Sequence, residues 1–180
     1  MNVILKDGSV LEAAAGATAA DAAQQISGGL YRAACAAKVD GKVVDLRTAL
    51  TDGCTLEILT FDDPDGKRAF WHTTSHIMAQ AVQHLFPDAK FAIGPSIDSG
   101  FYYDFDLPRP LTDDLAKIEA EMKKIVKENI PLERFELTPD AAEQLMADAG
   151  QDYKVELIRE HAGKGEHISF YKQGDYTDLC

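Results

Sequence analysis

Short apolar runs punctuated by Asp-Gly open the chain. Val3-Ile4-Leu5 and Ser9-Val10-Leu11 flank Lys6-Asp7-Gly8, and Asp-Gly between apolar runs predicts a hairpin, because glycine accepts positive φ without steric cost. Thr18, with Asp21 three residues on, is placed to cap an Ala-rich helix, and Gly28-Gly29 is the expected stop. Ala33 to Val39 and Lys42 to Leu46 are joined by Asp40-Gly41, a second hairpin, and Thr55 to Leu59 alternates as a final strand. The predicted order is ββαβββ. One helix laid across a mixed sheet buries a single apolar face in about 60 residues, which is the ubiquitin-like β-grasp plan.

The pattern changes at Phe61-Asp62-Asp63-Pro64-Asp65-Gly66, where acidic residues, Pro and Gly cluster. We place a domain boundary there, giving domains 1–61 and 62–180. Beyond it the spacing predicts a helix from Lys67 to Phe86, stopped by Pro87. Strands follow over Lys90 to Ile93 and Phe101 to Phe105. An amphipathic helix capped by Thr112 runs from Asp113 to about Asn129, with Leu115, Ile118, Met122 and Ile125 in helical period. Pro131 to Leu137 reads as extended, and Thr138-Pro139 opens a helix ending near Gly150. A short helix over Asp152 to Glu160 and strands over His167 to Lys172 and Tyr176 to Cys180 complete an α+β domain.

Composition narrows the function classes. Of 180 residues 46% are hydrophobic and 27% charged, an ordinary globular balance. No run of about 20 apolar residues predicts a membrane helix, and the first residues lack a secretory pattern, so the cytoplasm is the expected compartment. Three cysteines, Cys35, Cys54 and Cys180, make no disulfide framework. The net charge of −12 argues against a nonspecific phosphate-binding surface. The acid is uneven: residues 1–61 hold 5 basic and 7 acidic residues, and 62–180 hold 13 and 23.

Several residues carry candidate chemistry. His72 and His76 stand at i and i+4 of a helix and share one face. Their His-Thr-Thr-Ser-His setting lacks the glutamate that gives zinc proteases their general base, and two partly buried core histidines would show the same spacing. Asp178 and Cys180 fall on one face of the last strand, where the thiol is a soft metal ligand, a nucleophile or a polar wall, or simply a buried structural cysteine. Lys154, taken alone, reads as a solvated surface lysine. Between Ala92 and Asp104, Gly94-Pro95 fixes a turn, and Tyr102 and Tyr103 put one ring on each side of a strand. One ring can pack while the other lines a pocket or stacks on a base; packing of both is equally compatible with the pattern.

Taken in order, the β-grasp segment, His-x-x-x-His on a helix, Ala-Ile-Gly-Pro followed by Gly-Phe-Tyr-Tyr-Asp, Tyr-Lys-Val and the final Tyr-Thr-Asp-Leu-Cys resemble the amino-terminal half of bacterial-type threonyl-tRNA synthetases. The likeness covers nearly all of the chain. It implies a TGS domain over 1–61 and, over 62–180, most of the editing domain shared with alanyl-tRNA editing proteins. It carries the deacylation site onto His72, His76, Lys154, Asp178 and Cys180, with Tyr102 as a tRNA or pocket contact and Gly94 and Pro95 beside the substrate. In the family the cysteine begins a Cys-x-Gly-Pro-His element; the sequence stops at Cys180, so its last strand is cut short and that histidine lies outside it. The family's aminoacylation core, with its ATP, magnesium and zinc, and its anticodon-binding domain lie outside as well. Aminoacylation is therefore not expected of this portion, and the homodimer expected of the whole protein would form through the missing core.

The implied chemistry has a physical rationale. Serine lacks one methyl of threonine, and one methylene is worth only about 1–3 kcal/mol of discrimination, so a second site must remove the error. The expected partner is the acceptor end of tRNA(Thr) carrying serine, with no cofactor. Two alternatives stand beside it. One is a zinc-dependent deacylase with His72, His76 and Cys180 as ligands and water as the fourth. The other is a noncatalytic tRNA-binding or interaction module. TGS-containing GTPases and alarmone synthetases are excluded, since neither a phosphate-binding Gly-x-x-x-x-Gly-Lys-Ser/Thr loop nor a His-Asp metal pair is present.

Overall fold

In the computed structural model, which describes residues 1–162 and 167–180, the Asp-Gly turns behave as their chemistry predicts. Gly8 sits at φ 83°, and Asp40 and Gly41 at 49° and 78°, the paired positive values of a type I′ hairpin turn. The first turn joins β1 (Asn2–Leu5) to β2 (Val10–Glu12), and the second joins β3 (Ala34–Val39) to β4 (Lys42–Val44). With β5 (Thr55–Thr60) they form a five-stranded sheet in the order β2-β1-β5-β3-β4. β5 lies parallel to β1 and antiparallel to β3. A parallel neighbour requires a crossover, and α1 (Ala19–Ile26) is part of it.

Thr18 and Asp21 make the expected reciprocal cap: the Thr18 hydroxyl accepts from the Asp21 amide at 3.2 Å, and the Asp21 carboxylate from the Thr18 amide at 2.8 Å. Gly28-Gly29 does not act as the stop. α1 ends at the extended Ser27, whose side chain accepts from the Leu30 amide and starts a second helix, α2 (Gly28–Ala33). A fresh N-cap at Ser27 took the glycines into a first turn, so the order is ββααβββ. The core between sheet and helix holds Val3, Ala19, Ala22, Ala37, Leu50, Cys54 and Leu56.

The chain divides into two compact units, residues 1–73 with 96–100, and 74–95 with 101–180. The helix after the acidic seam, α3 (Pro64–Leu85), starts three residues before the expected Lys67. Gly66 is required within the first unit, because a Cβ there would stand 2.0 Å from the Thr60 carbonyl oxygen.

β6 (Lys90–Phe91), β7 (Ser96–Ile97), β8 (Gly100–Phe101) and β9 (Phe105–Asp106) are two-residue pieces. The longer strands expected over 90–93 and 101–105 are interrupted, although Ala92 and Asp104 still donate across to Asp104 and Ile93 carbonyls. A 3-10 turn over Thr112–Asp114, without a Thr112 side-chain cap, precedes α4 (Leu115–Glu128). Asn129 at φ 51° ends α4 in the left-handed conformation that asparagine tolerates.

β10 (Leu132–Leu137), α5 (Pro139–Asp148), α6 (Asp152–Ala162), β11 (Ile168–Gln173) and β12 (Tyr176–Leu179) follow, and the three strands form an antiparallel sheet in the order β10-β11-β12. Ala142, Met146, Val155 and Ile158 of α5 and α6 pack on Ile168 and Phe170 of β11. A separate core in the same unit gathers Ala79 and Val82 of α3 with Phe91, Tyr103, Ile118, Ile125 and Tyr176. Overall the molecule is α+β. Among the described residues no helix is long and apolar enough to cross a membrane.

Candidate active site

Strand alternation puts Tyr176 and Asp178 on the buried face of β12. Asp178 is 1% exposed, and an isolated carboxylate at that depth would be prohibitively costly. Four side chains compensate it. His76 Nδ1 lies 2.6 Å from Asp178 Oδ2, and the Lys154 ammonium forms an ion pair with Oδ1. The phenols of Tyr103 and Tyr176 donate to Oδ2 at 2.9 and 2.8 Å. Lys154 also donates to the Tyr103 oxygen at 2.9 Å.

The charge states follow from these contacts. Burial opposes ionisation of Asp178, but the Lys154 ammonium and the His76 imidazole hold its carboxyl well below the usual carboxylate range. Burial likewise works against a charged His76, yet its hydrogen bonds to Asp178 and Cys180 lift it from 6.5 to about 9. Since Asp178 is an acceptor only, the proton on Nδ1 belongs to His76. Burial, with the nearby carboxylate, pushes both phenols up, so they serve as neutral donors.

Each member is delivered by a different element. His76 comes from α3 and Lys154 from the first turn of α6, where its 4% exposure overturns the solvated-lysine reading. Lys154 shares a helix face with Ile158, four residues on and 1% exposed. Cys180 is exposed at the end of the chain. It follows β12 directly, its amide donates to the Ser169 carbonyl, and its sulfur meets His76. His72, half-buried, lies one turn before His76 in α3, in the stretch grouped with the first unit.

The tandem tyrosines separate as alternation predicts, with Tyr103 turned to Asp178 and Tyr102 42% exposed. The hydroxyl at the cluster is therefore that of Tyr103, which sequence reasoning weighed only as half of a pair. Tyr176 was missed entirely, although its i, i+2 relation to Asp178 was the available signal. Gly94 serves by what it lacks: a Cβ there would stand 2.1 Å from the Tyr103 ring. Its carbonyl accepts from the Ser75 hydroxyl at 2.8 Å. Pro95, half-buried, lends its carbonyl to the Tyr102 amide at 3.4 Å.

His72, His76 and Cys180 are donors of the kind zinc takes, and a carboxylate on the second nitrogen of His76 is a partner that metal-bound histidines commonly have. A metal bound there would compete with the proton that Asp178 and Cys180 favour on His76.

The family model for the TGS domain matches residues 1–60. A threonine–tRNA ligase of Acetivibrio thermocellus is 55% identical over 181 aligned residues, covering 100% of this chain and 28% of the relative. Those of Clostridium tetani and Clostridium botulinum strain Hall are 53% and 56% identical over the same shares. The chain thus spans 28% of the length of these relatives. Residues 1–60 therefore carry a TGS domain, and the chain along its whole length is similar to the amino-terminal region of threonine–tRNA ligases.

Proposed function

We propose that this chain is the proofreading portion of a protein that joins threonine to its tRNA at the expense of ATP, and that residues 62–180 hydrolyse the ester of serine mistakenly attached to tRNA(Thr). The observation that carries the reading is the buried assembly of two cations, His76 and Lys154, on the single carboxylate of Asp178. Similarity along the whole of this chain to part of the threonine–tRNA ligases supports the substrate class.

Hydrolysis adds water to the ester carbonyl carbon; the water gives up a proton, the carbonyl oxygen gains negative charge, and the carbon–oxygen bond breaks as the ribose oxygen takes a proton. A fixed, partly dehydrated cation is the most effective way to stabilise that developing charge. Lys154 takes this role and, with His72, positions the water and the ribose. His76, held cationic, is a hydrogen-bond donor and not a general base; with Asp178 and Cys180 it shapes the space for the serine side chain. Here the absent methyl of serine works in reverse of the synthetic site, since a snug space admits the smaller residue.

The test compares seryl-tRNA deacylation by the polypeptide extended past residue 180 with its His72→Ala and Lys154→Ala forms. The expected result is a loss of about 100-fold or more for Lys154→Ala and a clear loss for His72→Ala. Unchanged rates overturn the assignment.

A further inference from the structure

Asp178 Oδ2 accepts from His76, Tyr103 and Tyr176 together, while Oδ1 is taken chiefly by Lys154. A carboxylate oxygen offers about two lone-pair sites, so Oδ2 is fully occupied. The two phenol oxygens lie 3.4 Å apart. That is a long hydrogen bond, in which either hydroxyl can donate, and the shorter contact of each phenol is the one to Asp178. Tyr103 has a second task, since its oxygen accepts from Lys154. Tyr176 has no such cationic partner among the contacts described: its hydroxyl donates to Asp178 at 2.8 Å and otherwise meets only the Tyr103 hydroxyl, at 3.4 Å.

The rest of Tyr176 is packing. It is 3% exposed, and its ring leans on Phe91 at 6.1 Å. Phe91 meets Tyr103 at the same separation, edge to face. One apolar residue thus backs both rings, and two polar tips emerge from an aromatic wall at one carboxylate. The hydroxyl is what the packing does not need, because a phenylalanine would fill the same volume.

We propose that Tyr176 is a positioning residue of the hydrolytic site: its hydroxyl and that of Tyr103 fix the plane of the Asp178 carboxylate, so that Oδ1 is directed at Lys154 and Oδ2 at His76. This rests on the proofreading reading above and deepens it. Tyr176 touches neither substrate nor the reacting atoms; it acts through Asp178. Without it, Asp178 Oδ2 has one donor fewer and draws His76 closer, the carboxylate turns, and Lys154 loses its bearing on the carbonyl oxygen.

The experiment uses the full-length protein and its Tyr176→Phe form, with Asp178→Asn and the double variant. Tyr176→Phe lowers kcat for seryl-tRNA deacylation about 5- to 30-fold with KM unchanged, and adds no further loss in the Asp178→Asn background, because residues that act through one another are non-additive. An activity-independent readout is the Nδ1–H proton of His76, which shifts downfield in Tyr176→Phe as Oδ2 becomes a stronger acceptor. An unchanged His76 proton, or a kcat loss that multiplies with that of Asp178→Asn, overturns the positioning role. A parent protein that does not deacylate seryl-tRNA at all overturns the proofreading reading, whatever the His76 proton does.

Discussion

His76 Nδ1 and Asp178 Oδ2 stand 2.6 Å apart, 102 residues distant in sequence, with neither side chain more than 6% exposed. The pair joins the long helix α3 to the closing strand β12. Lys154 completes it from α6, so one carboxylate neutralises cations from two helices. Removing it strands both.

Asp178→Ala therefore destabilises the second unit by about 3–5 kcal/mol, the usual cost of leaving buried charge without its partner. Chemical denaturation followed by a probe in residues 74–180 measures this. Asp178→Asn, which retains shape and acceptor oxygen, loses less.

Gly94→Ala tests a steric statement. The new methyl would meet the Tyr103 ring at 2.1 Å, so the ring must move away from Lys154 and Asp178. The expected cost is about 1–3 kcal/mol, as for other overpacked sites, together with a loss of deacylation. Normal stability with full activity would show that the ring has room to yield.

A third prediction concerns pH. Burial opposes charge on His84, but Glu121 at 2.8 Å and Asp175 at 3.3 Å hold its pKa above the ordinary 6.5. Its contribution to stability is thus complete below about 6.5 and is lost as pH rises through the raised folded value. The Glu121 carboxyl is held low by its hydrogen bond to His84; Asp175 is held low by His84 and Gln80 against the effect of burial. Their contributions are present above the ordinary carboxylate range and vanish as pH falls through the lowered values. The stability difference between the protein and His84→Gln is therefore greatest from about pH 5 to 6.5 and shrinks on either side. It stays below about 1 kcal/mol, because the imidazole is partly exposed. Ring titration of His84 by NMR checks the direction.

Thr18→Ala removes the hydroxyl half of the cap on α1 and costs the first unit about 1 kcal/mol. The same substitution leaves the stability of residues 74–180 unchanged. Separate melting probes in the two units decide it.

The parts of the fold that local chemistry dictates were legible in the sequence. Asp40-Gly41 had to turn, Thr18 with Asp21 had to cap, and Asn129 stood where α4 ends. Gly28-Gly29 misled because the competing cap at Ser27 depends on a side chain whose partner appears only after the chain has turned. At the site, the spacing of His72 and His76 was visible. The depth of Lys154 was not, since a lysine on an apolar helix face reads as a surface residue until a buried carboxylate is known to wait for it. Tyr103 and Tyr176 escaped for the same reason. Their hydroxyls acquire meaning only through Asp178, and long-range convergence leaves no periodic mark on the chain.

The measurement closest to the central claim is release of serine and of threonine from charged tRNA(Thr) by the polypeptide extended past residue 180, with and without a chelator. The account predicts rapid release of serine, sparing of threonine, and no effect of the chelator, because it assigns stabilisation of the developing charge to the Lys154 ammonium and not to a metal. Equal release of both amino acids, or loss of serine release on chelation, would contradict it.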